Sequence, residues 1–293
     1  MSDAATVWIK RPPTGPLLFV RPLNMGVFNV TPDSFSDGGQ FQAAEAAIAH
    51  GRRLIEEGAD ILDIGGESTR PGADPVGVEE ELARVLPVIE GLAREGVPLS
   101  IDTRHAKVMA AALEAGAAII NDISALSHDP DSLRVAAESD APVVLMHSQG
   151  VPKTMQNNPR YGDVVEEVST YLEERIETCG QAGIEKARLI ADPGIGFGKT
   201  VEHNLALLAH LERFHDLGCP LLLGVSRKSF IARLSADEPP DERLGGSLAA
   251  ALAGLSRGVH ILRVHDVAQT RQAVRVWQAV SAAAGATPHA KES

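Results

Sequence analysis

Cysteine is scarce in this sequence of 293 residues, which contains only Cys179 and Cys219. The two lie forty residues apart, and neither belongs to a Cys-x-x-Cys pair. The sequence therefore indicates neither a disulfide framework nor a thiolate metal site. Because disulfide scaffolds belong to oxidising compartments, we expect a cytoplasmic protein whose two thiols stay reduced.

Positive charge is also in short supply. The chain has 27 Lys+Arg against 39 Asp+Glu, a formal net charge of −12 at pH 7. A protein that binds nucleic acid irrespective of its sequence needs a basic face to displace counterions from phosphate, so this class is excluded. An anionic ligand would have to be held by local lysines, arginines and backbone donors.

Long apolar runs are missing as well. The longest covers the eight residues Leu248–Leu255, whereas a membrane-spanning helix needs about 20. The first twenty residues contain Asp3, Lys10, Arg11 and three prolines, which interrupt the apolar stretch that a signal peptide requires. We therefore expect neither a signal peptide nor a membrane span.

What the sequence does contain is a series of short apolar segments typical of buried parallel strands, most of them separated by stretches with helical periodicity. Eight strand-then-helix units predict an α/β fold, a (β/α)8 TIM barrel in one domain over residues 23–280. A short N-terminal arm (1–22) would precede the barrel, and a disordered tail (281–293) would follow it. The pattern alone leaves an open, doubly wound sheet as the alternative. The predicted strands are Leu23–Val30, Ile61–Gly65, Leu99–Thr103, Ala118–Ile123, Val143–His147, Arg188–Ala191, Leu221–Val225 and His260–Val264.

Three predicted strands share a local pattern in which a capping glycine is followed five residues later by a polar side chain. The pairs are Gly58 with Asp63, Gly116 with Asn121, and Gly258 with Arg263. In an α/β barrel this offset reaches the carboxyl end of the strand, the rim from which sites are built. Each of these residues alone could simply cap a turn. Asp102, His147 and Asp192 lie at or next to the ends of three other predicted strands, so the polar residues are expected to converge on one rim.

One segment is similar to a phosphate-binding loop. Gly194-Ile-Gly-Phe-Gly198-Lys199-Thr200 nearly matches the pattern G-x-x-x-x-G-K-[ST]. The first required glycine is replaced by Pro193, which lacks the N–H that such a loop directs at phosphate. We interpret the segment as a glycine-rich turn that lets a flat ligand approach the backbone.

Five ordered motifs closely resemble those of the dihydropteroate synthase family, over about Leu23 to Ala279. The resemblance implies a pterin-binding barrel enzyme, a homodimer, that works in folate biosynthesis. It would condense 7,8-dihydropterin-6-ylmethyl diphosphate with 4-aminobenzoate to give 7,8-dihydropteroate and diphosphate, with Mg²⁺. The motifs are Met25-Gly-Val-Phe-Asn-Val-Thr-Pro-Asp-Ser-Phe-Ser-Asp-Gly-Gly39, Asp63-Ile-Gly-Gly-Glu-Ser-Thr-Arg-Pro-Gly72, Asp192-Pro-Gly-Ile-Gly-Phe-Gly-Lys199, Gly224-Val-Ser-Arg-Lys-Ser229 and Arg263-Val-His-Asp-Val267.

The chemistry of a pterin ring can be assigned to particular residues of these motifs. The ring offers an edge of N–H donors and a carbonyl, so its site needs acceptors on one side and donors on the other. Asp102, Asn121 and Asp192 are the expected acceptors, and Asn121 can also donate. Lys228 is the expected donor, in a segment where barrels often bind phosphate or other anionic groups.

A diphosphate site is expected where the last strand of the closed barrel meets the first. Arg263 and His265 would face Asn29 across that seam, since arginine makes bidentate contacts with phosphate and histidine adds a donor. Thr69 would complete the site. The resemblance assigns the Mg²⁺ contact to Asn29, and an amide oxygen suits an ion that arrives with diphosphate and keeps most of its waters.

The motifs contain no Ser-His-Asp or Cys-His constellation, so catalysis is expected to come from charge stabilisation and positioning rather than from a nucleophile. Diphosphate would leave first, in an SN1-like path. We expect Asp37 to face the developing cation, with Lys228 and Arg70 as the other catalytic residues. By resemblance, the 4-aminobenzoate pocket is shaped by Phe35, Arg70, Pro71, Phe197 and Ser229.

Two departures from the family pattern follow the fifth predicted strand, where Ser148 replaces Met and Val151 replaces Thr. They put local packing in doubt rather than activity. Two other functions stay open from the sequence. A methyltetrahydrofolate-type pterin methyltransferase would not need the diphosphate residues, and a non-catalytic pterin-binding paralogue would be expected to lose the two motif loops at 29–39 and 68–72.

Overall fold

Strands and helices alternate along the chain in the computed structural model, which describes residues 6–9, 15–30, 39–68, 75–150 and 153–285. The strands are β1 (Thr6–Ile9), β2 (Gly15–Leu18), β3 (Leu23–Asn29), β4 (Ile61–Gly65), β5 (Leu99–Asp102), β6 (Ile119–Asp122), β7 (Val143–Met146), β8 (Leu189–Asp192), β9 (Leu222–Leu223) and β10 (Ile261–Val264). The helices are α1 (Gly39–Glu57), α2 (Val78–Leu92), α3 (Ala106–Ala115), α4 (Ser132–Glu138), α5 (Val164–Gln181), α6 (Val201–Ala209), α7 (Ser229–Leu234), α8 (Leu244–Leu255) and α9 (Val267–Gly285). Short 3₁₀ helices cover Lys186–Arg188, Leu211–Leu217 and Pro240–Glu242.

Strands β3 to β10 form one parallel sheet that closes on itself. Their order is β8-β7-β6-β5-β4-β3-β10-β9, so the first and last strands of the barrel are neighbours. A parallel bridge between Ala191 and Leu221 joins β8 to the residue before β9 and completes the ring. The predicted (β/α)8 barrel is therefore confirmed, and the open doubly wound sheet is excluded.

Two apolar layers hold the barrel together. The larger lies between strands and helices, where Phe28, Ile64 and Leu92 are almost completely buried. The smaller fills the barrel interior with residues that include Met25 and Ile61. Since successive side chains of a strand point to opposite faces, every barrel strand except β5 supplies a residue to both layers; in β5, the residues that alternate with Leu99 and Ile101 are the polar Ser100 and Asp102.

The predicted N-terminal arm contains an antiparallel hairpin that the sequence pattern did not indicate. Strands β1 and β2 pair with each other, with Val7 opposite Leu17. Val7 is completely buried and belongs to the interior cluster with Leu23 and Ile261, which open their strands. The hairpin thus closes the amino-terminal end of the barrel and leaves the carboxyl end as the place for a site.

The boundary predicted at residue 281 is wrong, because α9 continues to Gly285. The segment 282–284 is a run of alanines, the best helix former, and the helix ends at the next glycine. Residues 286–293 lie outside the described part of the chain. Among the helices that the structure describes, none combines the length and apolar composition needed to cross a membrane.

Candidate active site

The polar residues predicted at the strand ends do meet at one rim. Asp102 pairs in register with Gly65 on one side and with Asn121 on the other, and Asp192 lies beside Met146. The three capping glycines have φ values of +99°, +120° and +80° at positions 58, 116 and 258, a conformation that other residues rarely adopt. Each glycine lies between the end of a helix and the strand that follows. The fixed offset of five residues therefore places Asp63, Asn121 and Arg263 at the same height along the barrel axis.

An arginine shared by two buried carboxylates forms the centre of this rim. Arg263 Nε donates to Asp63 Oδ2 at 2.6 Å, and Arg263 Nη2 donates to Asp102 Oδ2 at 2.7 Å. Asn121 Nδ2 donates to the same Asp63 oxygen at 3.0 Å. The four side chains therefore form one network across β4, β5, β6 and β10. Asp63 is not among the pterin ligands predicted from the sequence, although the glycine offset marks it as clearly as Asn121.

This network keeps two acceptor atoms without a donor. Among the described residues, none donates a hydrogen bond to Asp63 Oδ1 or Asp102 Oδ1, although both atoms are buried. An unpaired buried acceptor costs about 1–3 kcal/mol, so the pair is an incomplete site rather than a finished structural network. The two oxygens can accept N–H groups from a ligand, as the sequence predicted for Asp102.

Burial strongly perturbs the ionisation of the same carboxyl groups. It raises the pKa of Asp102 to about 8; the Arg263 guanidinium opposes that shift, and neighbouring Asp63 adds to it. Burial also lowers the pKa of Arg263, but the carboxylates of Asp63 and Asp102 outweigh it, and the net change is upward. Arg263 therefore stays charged, while Asp102 can hold a proton near neutral pH.

The second half of the rim comes from the turn after β8 and the start of α7. Asp192 Oδ1 accepts from the backbone N–H of Gly194 at 2.8 Å. The Lys228 amine donates to the Ile195 carbonyl and lies 4.6 Å from the centre of the Phe197 ring. Burial lowers the pKa of Lys228 to about 7, against the attraction of Asp192. Burial raises the pKa of Asp192, against the attraction of Lys228.

A cleft of about 520 Å³ opens next to this rim, within the size range of small-molecule sites. Six lysine and arginine side chains line it, and none of the described lining residues is a carboxylate. Arg263 lies between the cleft and the aspartates of β4 and β5. The predicted residues Asn29, Phe197, Lys228, Ser229, Arg263 and His265 all belong to this lining.

The diphosphate residues predicted at the seam between β10 and β3 are neighbours in the fold. Arg263 pairs with Met25 of β3, and His265 follows β10. His265 Nδ1 lies 3.0 Å from Ser226 Oγ, which also accepts the backbone N–H of His265 at 3.2 Å. Ser226 therefore fixes the orientation of the imidazole. The motifs gave no serine–histidine pair, because these two residues are 39 positions apart in sequence.

The part of the site that the structure describes contains no resident metal cage. The described residues contain no group of three or more His, Cys, Asp or Glu side chains that could hold a metal ion. The amide oxygen of Asn29 is a hard donor in the cleft, 3.6 Å from the position that a Cβ on Gly65 would take. A single protein oxygen fits an Mg²⁺ ion whose other ligands are phosphate oxygens and water.

Several predicted residues cannot be placed. Asp37, Thr69 and Arg70 lie outside the described residues, as do Phe35, Pro71 and the departure at Val151. The other departure, Ser148, donates its hydroxyl to the Ile123 carbonyl at 3.1 Å. This hydrogen bond ties the segments that follow β6 and β7, which gives the polar replacement a local partner.

Comparison with known proteins identifies the class that this fold and site define. Residues 25–265 match the model of a family described as pterin binding enzyme. A dihydropteroate synthase of Neisseria meningitidis serogroup B is 53% identical over 265 residues, which cover 89% of this chain and 93% of that protein.

Two solved structures of Xanthomonas albilineans dihydropteroate synthase are similar throughout. One, with 4-aminobenzoic acid, has a TM-score of 0.89 at 52% identity and covers 96% of this chain and 99% of its own. The other, in complex with 7,8-dihydropteroate, has a TM-score of 0.83 at 52% identity and covers 91% and 96%. The chain belongs to the dihydropteroate synthase family of pterin-binding enzymes. It is thus a transferase of folate biosynthesis.

The raised pKa of Asp102 predicts how stability depends on pH. The folded protein keeps a proton that the unfolded chain loses above about pH 4, so the free energy of unfolding should fall as pH rises toward 8. The largest slope expected from one group is about 1.4 kcal/mol per pH unit. Asp102→Asn cannot titrate, and its melting temperature should depend less on pH between 5 and 8 than that of the parent. Parallel curves for parent and variant, with exposed Asp241→Asn as control, would contradict this.

Proposed function

We propose that this enzyme condenses 7,8-dihydropterin-6-ylmethyl diphosphate with 4-aminobenzoate, giving 7,8-dihydropteroate and diphosphate. The observation that carries the proposal is the separation of charge at the site. Unpaired carboxylate oxygens of Asp63 and Asp102 lie behind Arg263, and a cleft lined by cations lies in front of it. A ligand with N–H donors at one end and phosphate at the other is complementary to both parts.

The pterin end of the substrate is bound by the buried rim. Asp63, Asp102 and Asp192 accept its N–H groups, and Asn121 can accept or donate. The Lys228 amine donates toward the ring carbonyl. All five side chains are held by the network around Arg263 or by the turn after β8, so the ring enters a preformed pocket.

The diphosphate end is bound in the cleft. Arg263 and His265 supply donors there, and Thr69 of the second motif loop adds a hydroxyl. Asn29 would hold Mg²⁺ through its amide oxygen. When bound, the ion neutralises the charge that develops on the leaving diphosphate.

Catalysis needs no nucleophilic side chain, because diphosphate can leave before the amine attacks. The C–O bond to diphosphate breaks and leaves a positive methylene carbon that the ring nitrogens stabilise. The nitrogen of 4-aminobenzoate then forms the new C–N bond and loses a proton. By resemblance to the family, Asp37, Arg70 and Lys228 are the catalytic residues, and the Asp37 carboxylate stabilises the cation.

The 4-aminobenzoate pocket lies at the mouth of the cleft. Phe197 and Ser229 line that part of the cleft, and the motif residues Phe35, Arg70 and Pro71 complete it. A flat aromatic acid suits a wall of this composition, since the Phe197 ring already packs beneath the Lys228 amine.

The active form is a homodimer that buries an apolar groove between α6, α7 and α8. Leu205 and Leu234 are 42% and 54% exposed there, and one side of α8 presents Gly245, Ala249 and Ala253. Small residues on one helix allow a second helix to approach closely.

Cytoplasmic location is supported by Cys179 and Cys219, which are buried free thiols with pKa values raised to about 11 by burial.

The reaction and its metal are tested together. Parent protein with both substrates and Mg²⁺ should release dihydropteroate and diphosphate in equal amounts. Asn29→Ala should need at least about ten-fold more Mg²⁺ for half-maximal rate, while its calorimetric affinity for 6-hydroxymethyl-7,8-dihydropterin, which lacks phosphate, stays unchanged. No turnover by the parent would favour the non-catalytic alternative, and an unchanged Mg²⁺ requirement would remove Asn29 as the ligand.

The order of bond breaking is tested by leaving out the amine. If diphosphate leaves first, the parent should release it slowly without 4-aminobenzoate, because water can capture the cation. Asp37→Asn should slow this partial reaction and full turnover together, by about ten- to a hundred-fold. Strict dependence of diphosphate release on 4-aminobenzoate would count against the cation path.

The dimer groove is tested by placing a charge in it. Ala253→Glu should convert the parent dimer to a monomer in sedimentation experiments, since a carboxylate would be buried in an apolar interface. Ala268→Glu, an equally exposed position on α9, should remain a dimer. A parent that sediments as a monomer at micromolar concentration would refute the interface.

A further inference from the structure

Lys199 is the one lysine of the glycine-rich segment after β8, and its amine is used inside the protein. The residue is 3% exposed. Its Nζ lies 2.9 Å from His147 Nδ1, 2.9 Å from the Gly194 carbonyl oxygen and 3.0 Å from the Phe197 carbonyl oxygen. A fourth contact, to the His147 carbonyl oxygen, is longer at 3.4 Å. Four acceptors therefore surround the amine, and burial lowers the pKa of Lys199 well below its usual value. The amine is therefore fully engaged and has no donor left for phosphate.

The partners of this amine are unusual for a buried cation, which is ordinarily paired with a carboxylate. Here they are three backbone carbonyls and an imidazole. Burial, with the Lys199 charge as a second cause, lowers the pKa of His147 to about 3, so the ring is neutral near pH 7 and its Nδ1 lone pair can accept. Such an arrangement is costly unless it holds something in place.

What it holds is the turn that builds half of the pterin pocket. Gly194, Gly196 and Gly198 all have positive φ, and the turn has no regular secondary structure to fix it. Gly194 supplies the N–H that Asp192 accepts, and the next residue, Ile195, supplies the carbonyl that anchors Lys228.

The turn has other ties, but they run in other directions. Asn204 accepts the N–H of Gly196 at 2.7 Å, and the Tyr161 hydroxyl donates to the Gly198 carbonyl at 2.9 Å. Lys199 instead connects both ends of the turn to His147, at the end of β7. The approach is close, because a Cβ on Gly194 would lie 1.9 Å from the His147 carbonyl oxygen.

We propose that Lys199 is a positioning residue, whose amine clamps the turn after β8 onto His147 and so sets Asp192 and Lys228 at the pterin ring. Lys199 itself does not touch the reacting atoms. The inference rests on the proposed role of Asp192 and Lys228 in binding pterin, and adds that their geometry depends on a lysine that the reaction does not use.

The test is Lys199→Met, which keeps the aliphatic length and removes the hydrogen bonds of the amine. Its dissociation constant for 6-hydroxymethyl-7,8-dihydropterin should rise about ten- to a hundred-fold, as a displacement of binding groups by a fraction of an ångström implies. Lys107→Met, at an exposed surface lysine, should bind like the parent. Parent-like binding by a folded Lys199→Met, even with a lowered melting temperature, would reduce Lys199 to a structural residue and overturn the proposal.

A double-mutant cycle separates positioning from general damage. If Lys199 acts through Lys228, Lys199→Met should weaken pterin binding much less in a Lys228→Met background than in the parent. Equal losses in both backgrounds would overturn that route. Asp192→Ala keeps the proposed function distinguishable, because parent-like binding by that variant would refute the pterin site itself, whatever Lys199 does.

A second pair of variants serves if Lys199→Met does not fold. His147→Gln retains an acceptor oxygen for the Lys199 amine, whereas His147→Leu has a similar volume and no acceptor. We expect His147→Leu to bind 6-hydroxymethyl-7,8-dihydropterin several-fold more weakly than His147→Gln. Equal affinities of the two variants would overturn the clamp.

Discussion

The guanidinium of Arg263 is the one cation placed between the buried carboxyl groups of Asp63 and Asp102, and the rest of the site depends on this arrangement. Burial raises the pKa of Asp102, and the negative charge of Asp63 adds to the shift, because one guanidinium cannot balance two carboxylates away from water. Each carboxyl also retains one oxygen without a donor among the described residues. These unpaired oxygens destabilise the free protein, and a ligand rich in N–H donors would remove that cost. At the proposed pterin site, this relief would supply part of the binding affinity.

The barrel explains why these charges can be brought together at all. Arg263 lies 200 residues from Asp63 and 161 from Asp102 in sequence, yet strand pairing places β10 beside β3 and β3 beside β4. Parallel strands held in register bring their carboxyl ends to the same rim. The hairpin that buries Val7 closes the opposite end, so the polar groups have only one side on which to collect.

Periodicity and glycine spacing were enough to predict the barrel and most of this rim. Apolar segments mark the strands, and Gly58, Gly116 and Gly258 mark how far along each strand the polar residue lies. Hydrogen-bond partners were not predictable in the same way, because they depend on the direction of each side chain across several strands. The sequence pattern predicts Arg263 as a phosphate ligand, and the structure adds that its guanidinium donates to the Asp63 and Asp102 carboxylates, which lie on the side away from the cleft. Lys199 likewise lies in a segment similar to a phosphate-binding loop, whereas its partners are carbonyl oxygens of its own turn and His147.

An acidic chain can hold an anionic substrate because its acidic residues are kept out of the cleft, where lysines and arginines are concentrated. The net charge of −12 is that of the whole chain, but the described lining of the cleft has six lysine and arginine side chains and no carboxylate. Within this lining, Arg227 is already paired with Asp266 at 2.6 Å and Arg263 with Asp63 and Asp102, so these two guanidinium groups contribute less to the electrostatic field of the cleft than their formal charge suggests. A ligand with donors at one end and phosphate at the other has a single favourable orientation in that field. In the proposed substrate, the bond that breaks would lie at the boundary between the buried carboxyl groups and the basic cleft, so both of the separating charges would be stabilised.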